Sequence, residues 1–257
     1  MNRTVPCTFI HDEFMLAVRR PTPPRCVIAV QHDGVTESLF EHEYEARTES
    51  TKKDLGVMPI AMEIFRKADP RAAVVWNQIP RRFLDTNRDP EDRLVWKRPF
   101  RDSRLAQEFE RFHAAIDGLI EESVAAYGHM PVLIDLHGFA DQPRYASKPH
   151  GYDAILGTGN GTTIRRGDFD RKIANRLEQA GFCVFCPGTE TAIPDGTPDC
   201  YNGGYLVRRA AKSNHGLDAA IQIEIAPYLR KRMPEETSDN EKRVVFVDAI
   251  ARTIADA

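Results

Sequence analysis

Two histidines, each at the end of an apolar run, are the residues of this sequence best suited to chemistry. Residues 26–30 lead into His32, and residues 131–136 lead into His137. An open α/β sheet builds its sites in the loops just past the carboxyl ends of its strands, so the two imidazoles can meet there. Together with the carboxylate of Glu37, they form a ligand set that suits zinc and leaves a coordination position for water.

The acidic ligand of this set has several candidates. Glu37 does not follow His32 at the helical spacing of common zinc motifs, so a loop that turns at Gly34 has to bring its carboxylate to the ion. Other acids in the same part of the chain are alternatives to Glu37, namely Asp33, Glu41 and Asp54.

Two further segments carry groups that would complete a hydrolytic site. Residues 81–88 concentrate guanidinium groups and an amide directly after an apolar run, and arginine binds carboxylates through paired hydrogen bonds. Glu224 lies within the β-branched run 219–225, where an unpaired charge is costly unless it has a partner or a role. A buried glutamate of this kind is a candidate general base.

These residues need a scaffold of alternating strands and helices. Short apolar runs bounded by turn residues predict buried strands at 27–30, 72–76, 132–136, 153–156, 183–185 and 219–225. Apolar residues at steps of three and four predict helices at 57–68, 102–127 and 169–180. This alternation indicates an α/β fold. The glycine- and proline-rich segment 187–204 is typical of a long loop.

Composition limits the possible partners and the domain count. The 257 residues favour one domain at 26–257, preceded by a lead-in segment at 1–25. The net charge of −3 gives no support for a nucleic-acid or membrane partner, so a small-molecule substrate is expected. The sequence has five cysteines and no signal or spanning segment, which favours a cytoplasmic protein with reduced thiols.

Five short motifs occur here in an order that resembles the N-formylglutamate amidohydrolases. They are His-Asp-Gly at 32–34, Asp-Thr-Asn-Arg at 85–88, Asp-Leu-His-Gly at 135–138, Gly-Gly-Tyr at 203–205 and Gln-Ile-Glu-Ile at 222–225. The resemblance runs from about residue 27 to residue 230. It implies the fold of the zinc carboxypeptidases, a mixed central sheet flanked by helices. The family usually has proline at the position of Gln31 and leucine at that of Thr86.

The resemblance also implies a role for each candidate at the reacting centre. His32, Glu37 and His137 would bind one zinc ion per chain, and Glu224 would take the place of the carboxypeptidase catalytic glutamate. A phage-type poly-γ-glutamate hydrolase of the same wider group uses a His-x4-Glu pair like His32 and Glu37. The implied reaction is hydrolysis of an amide.

Substrate-binding roles follow from the resemblance in the same way. Arg81 matches an arginine that steadies the oxyanion, and Asn87 with Arg88 matches a pair that binds a substrate carboxylate. Arg208 would bind a second carboxylate, with the adjacent Arg209 as the alternative.

Three functions compete at this point. The first is a zinc amidohydrolase acting on a small acidic N-acyl amino acid. The second keeps the zinc machinery but cleaves a γ-glutamyl or short peptide amide. The third is a non-catalytic carboxylate-binding relative, which Glu224 argues against because a binding protein needs no buried base.

Overall fold

The structure is a computed structural model that describes most of the chain. The described residues are 7–12, 14–34, 53–68, 70–92, 95, 104–139, 151–186, 201–213, 216–230 and 237–257. Within them, eight strands form a single sheet and six helices surround it. The α/β class with a mixed central sheet flanked by helices, expected from the sequence, is confirmed.

The elements follow one another in a largely alternating order. The strands are β1 (Thr8–His11), β2 (Met15–Arg19), β3 (Cys26–Val30), β4 (Ala72–Asn77), β5 (Met130–Gly138), β6 (Ala154–Gly157), β7 (Val184–Phe185) and β8 (Leu217–Ile225). The helices are α1 (Val57–Lys67), α2 (Arg104–Tyr127), α3 (Phe169–Gln179), α4 (Tyr205–Lys212), α5 (Pro227–Arg230) and α6 (Thr237–Ala255).

The four central strands of the sheet are parallel, and each outer one of the four pairs with a flanking strand in the antiparallel sense. The strand order is β1-β2-β4-β3-β5-β8-β6-β7. Strands β4, β3, β5 and β8 run parallel to one another, whereas β2 joins β4 and β6 joins β8 in the antiparallel sense. The carboxyl ends of the four central strands therefore meet at one edge, where an α/β sheet places its site.

Side-chain alternation decides which residues reach that edge on the same face. On β5, Ile134 and Leu136 pack in the apolar cluster that includes α1, α3 and α6, whereas Leu133 packs in the cluster that includes α2 and α4. By the same alternation, Asp135 and His137 lie on the face covered by α2 and α4. A carboxylate and an imidazole thus follow one another up this face of the central strand.

All six predicted strands and all three predicted helices are confirmed, with ends shifted by at most a few residues. The sequence did not predict β1 and β2, which lie within the expected lead-in segment 1–25 and extend the sheet beyond β4. Most of the predicted loop 187–204 falls outside the described residues. None of the helices in the described part of the chain combines the length and apolar character that a bilayer crossing requires.

One buried histidine on α2 makes the fold sensitive to acid. The ring of His113 stacks on Phe109 at a centroid distance of 4.4 Å, and neither ring nitrogen has a hydrogen-bond partner among the described residues. Burial lowers the pKa of His113 to about 4, and the positive charge of Arg209 acts in the same direction. The folded protein therefore holds this imidazole neutral at pH values where an unfolded chain protonates it.

We expect His113→Gln to reduce the loss of stability on acidification. Below about pH 6.5 the unfolded chain gains a proton at His113, but the folded chain does so only near pH 4. Across this window the free energy of unfolding falls as the pH falls, by at most about 3 kcal/mol, and glutamine has no such proton to gain. Urea unfolding at neutral pH and near pH 5 measures the difference.

The matched control is His129→Gln, since His129 lies at the surface and bonds Asp218 at 2.7 Å. This variant should lose stability on acidification as the wild type does. If His113→Gln and the wild type lost the same free energy of unfolding on acidification, His113 would not be the source of the acid sensitivity.

Candidate metal centre and active site

The two histidines singled out by the sequence meet at the edge of the sheet. His32 follows β3 and His137 lies near the end of β5, and their ring centroids are 4.7 Å apart. Each residue is 2% exposed, so both imidazoles are shielded from solvent. The pairing follows from the parallel alignment of β3 and β5, which are adjacent in the sheet.

A carboxylate lies between the two rings. The Nδ1 atom of His137 is 2.8 Å from Oδ2 of Asp54, and Nδ1 of His32 is 3.4 Å from the same oxygen. The backbone amide of Asp54 donates to the carbonyl oxygen of His32 at 3.0 Å, which ties the start of α1 to the end of β3. Ligand atoms of these three residues all lie within 4.8 Å of one another, close enough for one metal ion.

The other candidates for the acidic ligand have different positions. Glu37 and Glu41 lie outside the described residues. Asp33 accepts a hydrogen bond from the backbone amide of Met58 at 2.8 Å, so it stabilises the first turn of α1. Among the acids that the structure describes, Asp54 is therefore the one placed between the histidines.

Two more carboxylates orient the imidazoles from outside. Oδ1 of Asp85 lies 2.8 Å from Nε2 of His32, and Oδ1 of Asp135 lies 2.9 Å from Nε2 of His137. Both aspartates are fully buried. Each ring thus turns its Nδ1 atom towards Asp54, which is the carboxylate–histidine arrangement that supports metal-binding histidines in proteins.

The charges around this centre favour a cation. Burial alone would raise the pKa of Asp54, but the hydrogen bond from His137 and the nearby imidazole of His32 outweigh burial and lower that pKa below its ordinary value. Burial disfavours the charged form of His137, yet the negative charges of Asp135 and Asp54 raise its pKa well above 6.5. The donor set of two imidazole nitrogens and a carboxylate oxygen fits zinc. A zinc ion would replace protons on its ligands, and the surrounding carboxylates would stabilise its positive charge as they stabilise a protonated imidazole.

A buried atom on His32 gives a second sign of this fit. Its Nδ1 atom has no hydrogen-bond partner within the described ranges, although Nε2 on the other side of the ring is held by Asp85. Buried polar atoms are rarely left unpaired. The free Nδ1 atom faces the carboxylate of Asp54, as a metal-binding nitrogen would.

Glu224 lies beside the centre on the neighbouring strand. In the register of β5 and β8 it is directly opposite His137, and Nε2 of Gln222 donates to its Oε1 atom at 2.6 Å. Burial raises the pKa of Glu224 to about 7, against the attraction of the His137 charge. A carboxyl group with a pKa near neutrality can both accept and return a proton, which is the property of a general base.

Residues 81–88, here called the arginine loop, are anchored beside His32. Nε of Arg81 and Nε of Arg88 donate to Oδ2 of Asp85 at 3.1 Å and 3.0 Å. The carboxylate that orients His32 therefore also holds both arginines, which lie beside the centre and remain partly exposed.

Asn87 joins this loop to the rest of the site. Its Nδ2 atom lies 3.1 Å from Nε2 of His137, and its Oδ1 atom accepts from the backbone amide of Leu206 at 3.1 Å. A Cβ atom on Gly204 would lie 2.1 Å from this side chain, so only glycine fits there. Close packing of α4 against Asn87 thus accounts for part of the Gly-Gly-Tyr motif.

The structure also separates the two adjacent arginines on α4. Arg209 binds both carboxylate oxygens of Asp117 on α2, at 2.9 Å and 2.5 Å. Arg208 is exposed and donates to the carbonyl oxygen of Gly203 at 2.6 Å. Within the part of the chain that the structure describes, Arg208 has no acidic partner and is the better placed of the two to meet a ligand.

Sequence reasoning missed the two carboxylates that orient the imidazoles. Asp135 interrupts an apolar run, the same signal that identified Glu224, so it could have been found. Asp85 lies in a polar loop, and no pattern in its surroundings indicates that its side chain is fully buried.

One protein-family model covers most of the chain. The family model of N-formylglutamate amidohydrolase matches residues 25–229, most of the chain. The chain therefore belongs to the N-formylglutamate amidohydrolase family, and this membership makes it an amide-hydrolysing enzyme by class. No sequence among the curated proteins is significantly similar to it.

Solved structures support the fold. N-formylglutamate amidohydrolase from Ralstonia eutropha JMP134 is similar over 98% of this chain and 99% of that chain, with 18% identity and a TM-score of 0.63. A gene product from Agrobacterium tumefaciens is similar over 91% and 92%, with 17% identity and a TM-score of 0.53.

Proposed function

We propose that this protein is a zinc-dependent amidohydrolase that cleaves the amide of a small acidic N-acyl amino acid, similar to N-formylglutamate. The observation that carries the proposal is the buried His32–Asp54–His137 cluster beside Glu224, a carboxyl group with a pKa raised to about 7. The net charge of −3 and the sparse, odd number of cysteines suit a cytoplasmic enzyme with a small-molecule substrate.

One zinc ion per chain would be held by His32, His137 and Asp54. We assign the acidic position to Asp54 because its carboxylate already contacts both imidazoles, and Glu37 is the alternative. A zinc ion bound there would polarise the scissile carbonyl and lower the pKa of a bound water to about 7.

Glu224 would move the proton in this reaction. Its carboxylate would accept a proton from the attacking water and deliver it to the leaving nitrogen. The hydrogen bond from Gln222 fixes one carboxylate oxygen, which leaves the other for proton transfer. Gln222 in turn accepts a hydrogen bond from the backbone amide of Gly204 at 2.5 Å. The start of α4 therefore fixes Gln222, and Gln222 fixes Glu224.

The cationic groups beside the centre would select an acidic substrate. We assign Arg81 the role of stabilising the oxyanion, because it donates a hydrogen bond to Asp85, the carboxylate that orients His32, and so lies beside the candidate metal centre. Asn87 and Arg88 would bind a substrate carboxylate. Arg208, which has no acidic partner among the described residues, would bind a second one.

The first experiment measures hydrolysis of N-formyl, N-acetyl, N-succinyl and γ-glutamyl amino acids by zinc-loaded protein, and then by Glu224→Gln. We expect an acidic N-acyl amino acid to be cleaved best. Glu224→Gln should lose about 10²- to 10⁴-fold in kcat and keep its zinc, because the isosteric amide cannot accept the proton.

Glu108→Gln is the matched control, since Glu108 is a half-buried glutamate on α2 whose pKa burial also raises. It should keep wild-type activity. Full activity in Glu224→Gln would overturn the mechanism. Preference for γ-glutamyl substrates would replace the proposed substrate class, and no cleavage of any compound would favour a carboxylate-binding protein.

The second experiment identifies the acidic ligand by elemental analysis of zinc in purified variants. Asp54→Asn should bind zinc at least about 10-fold more weakly than wild type, because the neutral amide is a poor ligand. Glu37→Gln should bind it normally. His137→Ala should lose the ion, and His129→Ala, which changes a surface histidine, should retain it.

Two results would contradict this assignment. Loss of zinc in Glu37→Gln together with full zinc in Asp54→Asn would make Glu37 the ligand. Full zinc in His137→Ala would move the metal site elsewhere.

A further inference from the structure

We infer that Arg230 is a positioning residue of the active site, because its guanidinium ties together the three chain segments that carry Asp54, His137 and Glu224. This inference rests on the proposed function, since it concerns how the zinc site and the base are held. Arg230 is the last residue of α5 and is 8% exposed.

The guanidinium donates to three backbone carbonyl oxygens. Nε donates to Ile225 at 3.1 Å, Nη1 to Leu55 at 2.7 Å and Nη2 to Phe139 at 2.8 Å. These carbonyls belong to segments that are far apart in sequence. Hydrogen bonds from a charged donor are stronger than those between neutral groups, so the guanidinium is an effective cross-link.

Each of the three acceptors is next to a functional residue or two positions from one. Leu55 directly follows Asp54, and Ile225 directly follows Glu224. Phe139 lies two residues after His137. One side chain thus holds the backbone beside the acidic ligand, beside the base and beside a histidine ligand.

Two glycines make room for this cross-link. A Cβ atom on Gly138 would lie 2.1 Å from Nε of Arg230, and one on Gly56 would lie 2.2 Å from its carbonyl oxygen. Gly56 also has a φ of 87°, which other residues rarely adopt. The glycine after His137 and the glycine after Leu55 are therefore both required by the position of Arg230.

Charge gives Arg230 a second connection to the site. It has no acidic partner within ion-pair distance among the described residues, so its bonds are to carbonyls. Its pKa is lowered by burial, while the negative charges of Asp54, Glu224 and Asp33 act in the opposite direction. A buried cation is costly, and these carboxylates, which are themselves buried, offset part of that cost.

The test compares Arg230→Met and Arg230→Lys with Arg243→Met. Arg243 is also 8% exposed, but it lies on α6 and pairs with Glu63 of α1. Zinc affinity is measured by competition with a chromophoric chelator, kcat and KM are measured at saturating zinc, and thermal unfolding is recorded for each variant.

We expect Arg230→Met to weaken zinc binding at least about 10-fold. Its kcat should fall by about 10²-fold even at saturating zinc, because a displaced base is poorly aligned, while KM changes little. Arg230→Lys keeps the charge but cannot reach three carbonyls, so it should be intermediate. Arg243→Met should lose thermal stability but keep wild-type zinc affinity and kcat.

Gly138→Ala provides a variant that keeps Arg230 and pushes its guanidinium aside, in case Arg230→Met does not fold. It should show the same weaker zinc binding and lower kcat. Wild-type affinity and kcat in folded Arg230→Lys and Gly138→Ala would overturn the inference alone. Wild-type protein that binds no zinc would overturn the proposed function and this inference with it.

Discussion

A single buried carboxylate, that of Asp54 between His32 and His137, is the interaction on which the rest of the site depends. Moving a carboxylate out of water costs several kcal/mol unless it is paired and hydrogen-bonded. Here the pairing comes from two imidazoles whose Nδ1 atoms face one oxygen. Those imidazoles can do this only because other groups hold their opposite nitrogens.

The carboxylates that surround this centre are also buried and also need partners. Asp85 and Asp135 fix the imidazoles, and they are buried charges themselves. Asp85 is compensated by Arg81 and Arg88, and Asp135 accepts from Gln31 at 2.8 Å. The arginine loop is therefore part of the electrostatic support of the candidate metal centre as well as the proposed binding site for the substrate.

Much of this architecture could be predicted from the sequence because strands buried on both faces read as continuous apolar runs. The same contrast between apolar run and polar residue pointed to His32, His137 and Glu224. Strand β1 was missed because it is exposed along its whole length, so burial leaves no pattern in its residues. Strand β2 is largely buried, but its short run was included in the lead-in segment.

The position of Asp54 between the histidines and the pairing that distinguishes Arg208 from Arg209 could not be predicted, for a different reason. The family resemblance favoured Glu37, which lies outside the described residues, and the place of Asp54 depends on how α1 packs against the end of β3. Arg209 is separated from Arg208 by its pairing with Asp117 on α2. Such contacts join distant parts of the chain, and neither member of the pair indicates the other in the sequence.

The most direct test of the central claim is zinc K-edge X-ray absorption of the zinc-loaded protein. We expect nitrogen and oxygen ligands at about 2.0–2.1 Å, with scattering from two imidazole rings and no sulfur. Sulfur at about 2.3 Å would place the ion at cysteines such as Cys183 and Cys186 and would contradict a site built on His32 and His137.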